Sequence, residues 1–165
     1  PYSSSKASSD LIINSYIRTY KLPIIISNCC NNYGSNQNEE KLIPKMINNL
    51  IKNKSLNLYG DGKNEREWIY VLDHCEALIC LMKKGKLGEQ YNIGSGVVLS
   101  NINIINLLKN KYNEISKKKN NSNIKFVTDR PGHDLRYAID AKNEPIPLRE
   151  LRTIDGTEKY LSIQA

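Results

Sequence analysis

The sequence predicts an α/β fold. Two observations carry that expectation: an amphipathic helical stretch that runs into a short β-branched run near the start, and the same alternation of helical and extended periods through the rest of the chain. Residues 2–20 place Leu11, Ile12, Tyr16 and Tyr20 at three-to-four-residue steps behind a serine-rich start, giving a helix whose apolar face must dock on something. Pro23-Ile24-Ile25-Ile26-Ser27 has the character of a strand buried on both faces of a parallel sheet. Asn31 to Glu40 is polar, with Gly34 as punctuation, and reads as a loop. A second helix spans Lys41 to Lys52, with Pro44 tolerable because it falls near the first turn. Leu56 to Tyr59 and Arg66 to Val71 read as two short strands joined by a tight Gly60-Asp61-Gly62 connection. Asp73 is expected to cap a helix through Ala77, Leu78 and Leu81 that ends at Gly85 in a left-handed cap. Tyr91 to Gly94 is a further strand, and Ser100 or Asn101 caps a helix through Ile104, Ile105, Leu107 and Leu108. Ile124 to Val127 and Arg136 to Ile139 are strands flanking a compact polar loop.

Composition narrows the function classes. At 165 residues, 39% hydrophobic and 25% charged, the chain has the make-up of an ordinary globular protein of one domain or slightly more. No apolar run approaches the roughly 20 residues of a membrane helix, so no membrane partner is expected. The net charge of +7 favours anionic partners, from nucleic acid to a phosphorylated metabolite. Much of that charge sits in stretches such as Lys117-Lys118-Lys119 that read as solvated loops without aromatic interleaving, which argues against nucleic acid. Cys29, Cys30, Cys75 and Cys80 show neither CxxC pairs nor scaffold spacing, so a reducing, cytoplasmic setting is expected. The chain begins abruptly at Pro1-Tyr2 with no leader, as a piece of something longer would.

Three constellations carry chemistry. Tyr2 and Lys6 are spaced i and i+4, so both emerge on one helix face. A free phenol titrates near 10, and lowering it by about three units takes roughly 4 kcal/mol, more than one lysine on an exposed helix supplies. Such a pair also arises by chance on many amphipathic helices. Arg130-Pro131-Gly132-His133-Asp134, followed by Arg136-Tyr137, sets a tight turn that carries a guanidinium fork suited to a phosphate, or else a plain surface turn. Lys41 at a helix start, near Asn31 and Asn32, places an ammonium and backbone N–H groups where an anion could sit. Gly94-Ser95-Gly96 lacks the third glycine and the following acid of a dinucleotide fingerprint and reads as a turn. His74, Cys75 and His133 do not converge at metal spacings, so no metal is expected.

Taken in order, Tyr2-Ser3-Ser4-Ser5-Lys6-Ala7-Ser8-Ser9-Asp10, Asn28-Cys29-Cys30-Asn31-Asn32-Tyr33-Gly34, Glu40-Lys41-Leu42-Ile43-Pro44, Arg66-Glu67-Trp68-Ile69-Tyr70-Val71-Leu72-Asp73-His74, Tyr91-Asn92-Ile93-Gly94 and Asp129 to Asp134 with Arg136 to Asp140 resemble the dTDP-glucose 4,6-dehydratase family of extended short-chain dehydrogenases/reductases. The Arg-Pro-Gly-His-Asp segment separates that family from epimerases and decarboxylases sharing the Tyr-Lys pair. The resemblance implies the carboxyl-terminal part of a Rossmann-type α/β enzyme: the last helix and strand of the parallel sheet, then a small mixed α/β substrate-binding subdomain. It implies NAD as cofactor, a dTDP-sugar substrate and homodimers pairing through the helix of Tyr2. Tyr2 and Lys6 would be the catalytic pair, and with Asn32 would touch the cofactor. Asn31, Lys41, Leu42, Asn57, Leu58, Tyr59, Arg66, Asn101, Asp129, Arg130, Pro131, Gly132 and His133 would line the nucleotide-sugar pocket, with Asn57 standing where the family has proline.

By the same resemblance, residues 1–30 are the remnant of the NAD-binding domain, 31–140 the nucleotide-sugar subdomain and 141–165 a divergent tail. The family's glycine-rich nucleotide-binding half and its Thr-Asp-Glu segment should precede Tyr2. The helix at residues 2–20 and both edges of the Ile24-Ile25-Ile26 strand are therefore expected to lack partners, and the isolated chain to be catalytically inactive. The alternatives are a non-catalytic nucleotide-sugar-binding or oligomer-partner module, or another NAD-dependent sugar-nucleotide epimerase or dehydratase.

Overall fold

Residues 2–20 form helix α1 (Tyr2–Tyr20), as their periodicity predicts, and Lys21 ends it in the left-handed conformation. In the computed structural model, which describes residues 1–140 and the backbone of 162–164, no residue of α1 is buried. Ile13, Asn14 and Ile17 form its half-buried side, whereas Leu11, Ile12, Tyr16 and Tyr20 are exposed, the two tyrosine rings 5.4 Å apart. The following strand is shifted from Pro23–Ser27 to β1 (Ile26–Cys29). Pro23 has no N–H to give a ladder, and the Ile24 N–H turns back to the Leu22 carbonyl at 2.9 Å. One edge of β1 is satisfied rather than bare: β5 (Gln90–Gly94) pairs with it in parallel, from Ile26↔Gln90 to Cys29↔Ile93.

The segment expected to be loop contains a strand, β2 (Asn31–Tyr33), paired in parallel with β4 (Glu65–Tyr70). Its polar side chains hid a strand that is defined by backbone pairing. Helix α2 (Leu42–Ile51) takes Pro44 in its first turn and buries Ile43, Met46 and Leu50. Strand β3 (Leu56–Tyr59) does not form a hairpin with β4; it runs parallel to β7 (Ile124–Val127). The turn between β3 and β4 needs glycine for two reasons at Gly62, whose φ is 74° and whose added Cβ would come within 2.4 Å of the Leu58 side chain. Asp61 is a turn residue, accepting the Lys63 N–H at 3.0 Å.

Strand β4 is the hub of a four-stranded sheet. Besides β2 it holds β6 (Val98–Ser100) antiparallel and β8 (Arg136–Tyr137) parallel. Strand β8 stops at Tyr137 rather than Ile139 because the Ile139 N–H goes to a side chain, Glu67 Oε2, at 2.8 Å. Helix α3 (Val71–Lys84) follows β4 directly with Tyr70 as N-cap, so Asp73 is not the cap but a buried residue of the first turn. Gly85 ends it in extended conformation (φ −68°, ψ 147°), not left-handed, with its N–H on the Leu81 carbonyl. Ser100 caps α4 (Asn101–Ser116) by accepting the Asn103 N–H at 3.3 Å. Strand β9 (Ser162–Gln164) pairs antiparallel with β5; the rest of the tail expected to diverge lies outside the described residues.

Three apolar clusters hold these elements. Cys30, Ile69, Ala77, Leu81, Tyr91 and Ile93 join α3 to the β1–β5 sheet. Met46, Leu50, Leu56, Leu58 and Ile105 lock α2, β3 and α4 together, and Trp68 with Ile43 and Ile104 ties that unit to β4. All four cysteines are free thiols. Among the described residues no helix is long and apolar enough to cross a membrane.

Candidate functional site

Where α2, β3, β4 and the start of α4 meet the loop after β7, a cleft of about 720 Å³ opens. Alternation along β3 decides which of its residues face it: Leu56 and Leu58 point into the core, while Asn57 and Tyr59 line the cleft. Leu58, 1% exposed, is therefore a core residue and not part of the lining. Helix α2 brings Leu42, Lys45 and Met46 behind Lys41; β4 brings Arg66 and Trp68; α4 brings Asn101 at its first position. Asn31 and Asn32 of β2, and Arg130 and His133 of the loop after β7, complete the lining.

The Arg130 loop is built to hold its shape. Asp129 Oδ1 accepts the Arg130 N–H at 2.8 Å and meets His133 Nδ1 at 2.7 Å, while Gly132 turns the chain at φ 67°. The hydrogen bond from His133 keeps the Asp129 carboxyl below the usual carboxylate range. Pro131 and Gly132 are exposed in the turn and, like Asp129, shape the loop without lining the cleft. The Arg130 guanidinium lies 5.4 Å from the centre of the Tyr59 ring. The loop's far end is fastened to β4, where Arg66 Nη2 and Asn64 Nδ2 donate to the Asp134 carbonyl at 2.8 and 3.2 Å.

Asn32 is fixed from both sides of its amide. Its Nδ2 donates to the Cys30 carbonyl at 3.2 Å, so its Oδ1, 2.9 Å from His74 Nδ1, accepts. His74 Nδ1 must then carry the proton, leaving Nε2 buried with no partner among the described residues. Burial holds this imidazole below its ordinary 6.5, because a second N–H there would face no acceptor. A basic group with a lowered folded-state value resists protonation only when folded, so its stabilising contribution is complete above 6.5 and is lost as pH falls below it. The urea midpoint is expected to drop between about pH 7.5 and about pH 5.5, and His74→Gln to drop less.

Tyr2 and Lys6 stand apart from the cleft. They share a face of α1, with Lys6 Nζ 5.9 Å from the Tyr2 ring centre, but Tyr2 is 75% exposed and neither residue lines the hollow, since nothing among the described residues covers this end of α1. The link between the two regions is Tyr137, which pairs with Arg66 across β4 and β8. Burial first, then the charges of Cys29, Tyr2 and Cys30, raise the Tyr137 phenol above its ordinary value.

Sequence reasoning missed several lining residues: Gln37, Glu40, Lys45, Met46, Trp68 and Val127. Gln37 Oε1 and Trp68 Nε1 are buried without a partner among the described residues, so this wall is polar and unsatisfied. Helical spacing from Lys41 was the available signal for Lys45. Gly94-Ser95-Gly96 is a turn: the Ser95 hydroxyl donates to the Trp68 carbonyl at 2.7 Å, and Gly96 sits at φ 71°.

Comparison with known proteins places the described fold. The family model described as GDP-mannose 4,6 dehydratase matches residues 1–144. The low-salt glycan biosynthesis protein of Haloferax volcanii is 48% identical over 141 residues, 86% of this chain and 44% of the relative. The dTDP-glucose 4,6-dehydratase of Escherichia coli is 48% identical over 143 residues, 86% of this chain and 40% of the relative. The crystal structure of dTDP-glucose 4,6-dehydratase from Streptomyces venezuelae, solved with NAD bound, is similar at TM-score 0.76 and 44% identity, over 85% of this chain and 42% of that one. The chain thus spans about two fifths of the length of the curated relatives it matches. The α/β fold is that of part of an extended short-chain dehydrogenase/reductase, and the chain belongs to the GDP-mannose 4,6 dehydratase family.

Proposed function

We propose that the cleft grips the nucleoside diphosphate of a dTDP-sugar, and that the chain is the substrate-binding part of a dTDP-glucose 4,6-dehydratase, which oxidises the sugar at C4, eliminates water across C5 and C6 and reduces C6. The observation that carries this reading is the gathering of Lys41 and Arg130 with the amides of Asn31 and Asn101 around one hollow. Neither cation has an ion-pair partner among the described residues. Two cations around one hollow suit a diphosphate, and Arg130, its guanidinium 5.4 Å from the centre of the Tyr59 ring, carries N–H donors suited to phosphate oxygens. Leu42 and Tyr59 offer apolar surface to the base, and Asn57 a polar edge beside it.

In this reading residues 1–30 belong to the cofactor domain and 31–140 to the nucleotide-sugar subdomain, although β1 and β5 share a sheet across that boundary. Tyr2 is the candidate to take the proton of the sugar 4-hydroxyl, with Lys6 beside it on the same helix face. The described residues do not by themselves fit NAD: Tyr2 and Lys6 lie on an exposed helix, and no glycine-rich phosphate-cradling turn is among them. No hydride step is therefore assigned to them. The exposed stripe of Leu11, Ile12, Tyr16 and Tyr20 suits a homodimer contact through α1.

Calorimetric titration of the 165-residue chain with dTDP tests the reading. Binding is expected, unchanged in Tyr2→Phe because Tyr2 stands outside the cleft. With NAD and dTDP-glucose added, no 4-keto-6-deoxy product above the Tyr2→Phe control is expected. No heat on adding dTDP refutes the site; turnover above that control refutes the inactivity of this chain.

A further inference from the structure

Helix α2 is apolar except for Lys45 and two asparagines, and its rotation is set by the buried Ile43, Met46 and Leu50. With that face inward, Lys41 at the cap and Lys45 one turn later come to the same side, roughly 6 Å apart along the axis, and both line the cleft. The position is electrostatically wrong for folding. The first turn of α2 contains no acid, and two ammonium groups sit where the helix dipole is positive and favours anions. Neither lysine has an ion-pair partner among the described residues. Among the lining residues Glu40 is the sole carboxylate, against Lys41, Lys45, Arg66 and Arg130. Local rules broken together beside a hollow point to a ligand that restores the balance.

We infer that Lys45 is a second ammonium of α2 that contacts the diphosphate of the bound ligand, in the same cleft that Arg130 lines. The inference rests on the nucleoside diphosphate reading above and adds a residue that determines preference for two phosphates over one. Lys45 is exposed and carries no buried contact, so its substitution leaves the fold intact.

The test is titration of wild type, Lys45→Ala, Lys45→Glu, Lys45→Arg and Arg130→Ala with thymidine, dTMP and dTDP. Lys45→Ala is expected to weaken dTDP about five- to tenfold, dTMP less and thymidine not at all, with a larger loss in Lys45→Glu and near-complete recovery in Lys45→Arg. The difference between wild type and Lys45→Ala should shrink as salt is raised. Equal dTDP affinity in wild type, Lys45→Ala and Lys45→Glu, with binding lost in Arg130→Ala, overturns the role of Lys45 and leaves the cleft reading standing. A wild-type chain that binds dTDP no better than thymidine overturns both.

Discussion

Arg130→Ala is expected to weaken dTDP binding by this chain about thirty- to hundredfold, because one substitution removes a planar fork of charge-assisted hydrogen bonds and the cation–π contact beside it. That contact is with Tyr59, 5.4 Å from ring centre to guanidinium carbon. The backbone beneath it is set by Asp129, which holds both the Arg130 N–H and His133. Arg130 thus meets a ligand with little freedom left to lose, and preorganisation of that kind is where a few hydrogen bonds become affinity. Arg130→Lys restores the charge but neither the fork nor the flat face, so it should recover only part of the loss. Tyr59→Leu should weaken dTDP less, since it frees the guanidinium without deleting it. Calorimetry with dTDP reads all three, and an Arg130→Ala chain that binds as wild type would falsify the assignment of this loop to the phosphates.

What could be read in the sequence follows from the range of the interaction responsible. The helices were legible because their apolar spacing and caps lie within a few residues: Ser100 caps α4 and Pro44 sits in the first turn of α2, as local chemistry dictates. The strands were less so. Gly60-Asp61-Gly62 looks like a hairpin turn, yet β3 finds its partner in β7, and nothing local to Leu56–Tyr59 announces Ile124–Val127. Asn31-Asn32-Tyr33 has no strand pattern at all; β4 makes it a strand. The same limit governed the site. Asn57, Tyr59, Arg66, Asn101, Arg130 and His133 were named from family motifs, and they meet only because β3, β4, α4 and the loop after β7 converge. Leu58 was carried along by adjacency, and period-two alternation sends it the other way. Glu67 drew no attention because an acid in a short strand reads as a surface residue, and its partners lie far along the chain.

Those partners make Glu67 the residue whose loss should cost the fold most. It is 1% exposed in β4, with Oε1 accepting the Gly96 N–H at 2.7 Å and Oε2 the Ile139 N–H at 2.8 Å. One carboxylate therefore ties the turn after β5 and the segment after β8 to the hub strand. Glu67→Ala removes two charge-assisted hydrogen bonds and leaves a void in place of the side chain, and at about 1.5–3 kcal/mol for each hydrogen bond to a charged group a destabilisation of about 3 kcal/mol or more is expected from urea unfolding. Glu67→Gln keeps one acceptor and turns an NH₂ toward the other amide, so about half that loss should follow. The effect should reach the cleft, because the segment released by Glu67 is continuous with β8 and with the loop fastened through Asp134 to Arg66 and Asn64. In Glu67→Gln, folded under native conditions, dTDP binding should weaken while the contacts of Lys41 and Lys45 are untouched. A Glu67→Ala chain with an unchanged urea midpoint would mean that both amides find other acceptors and that β4 holds its neighbours without this staple.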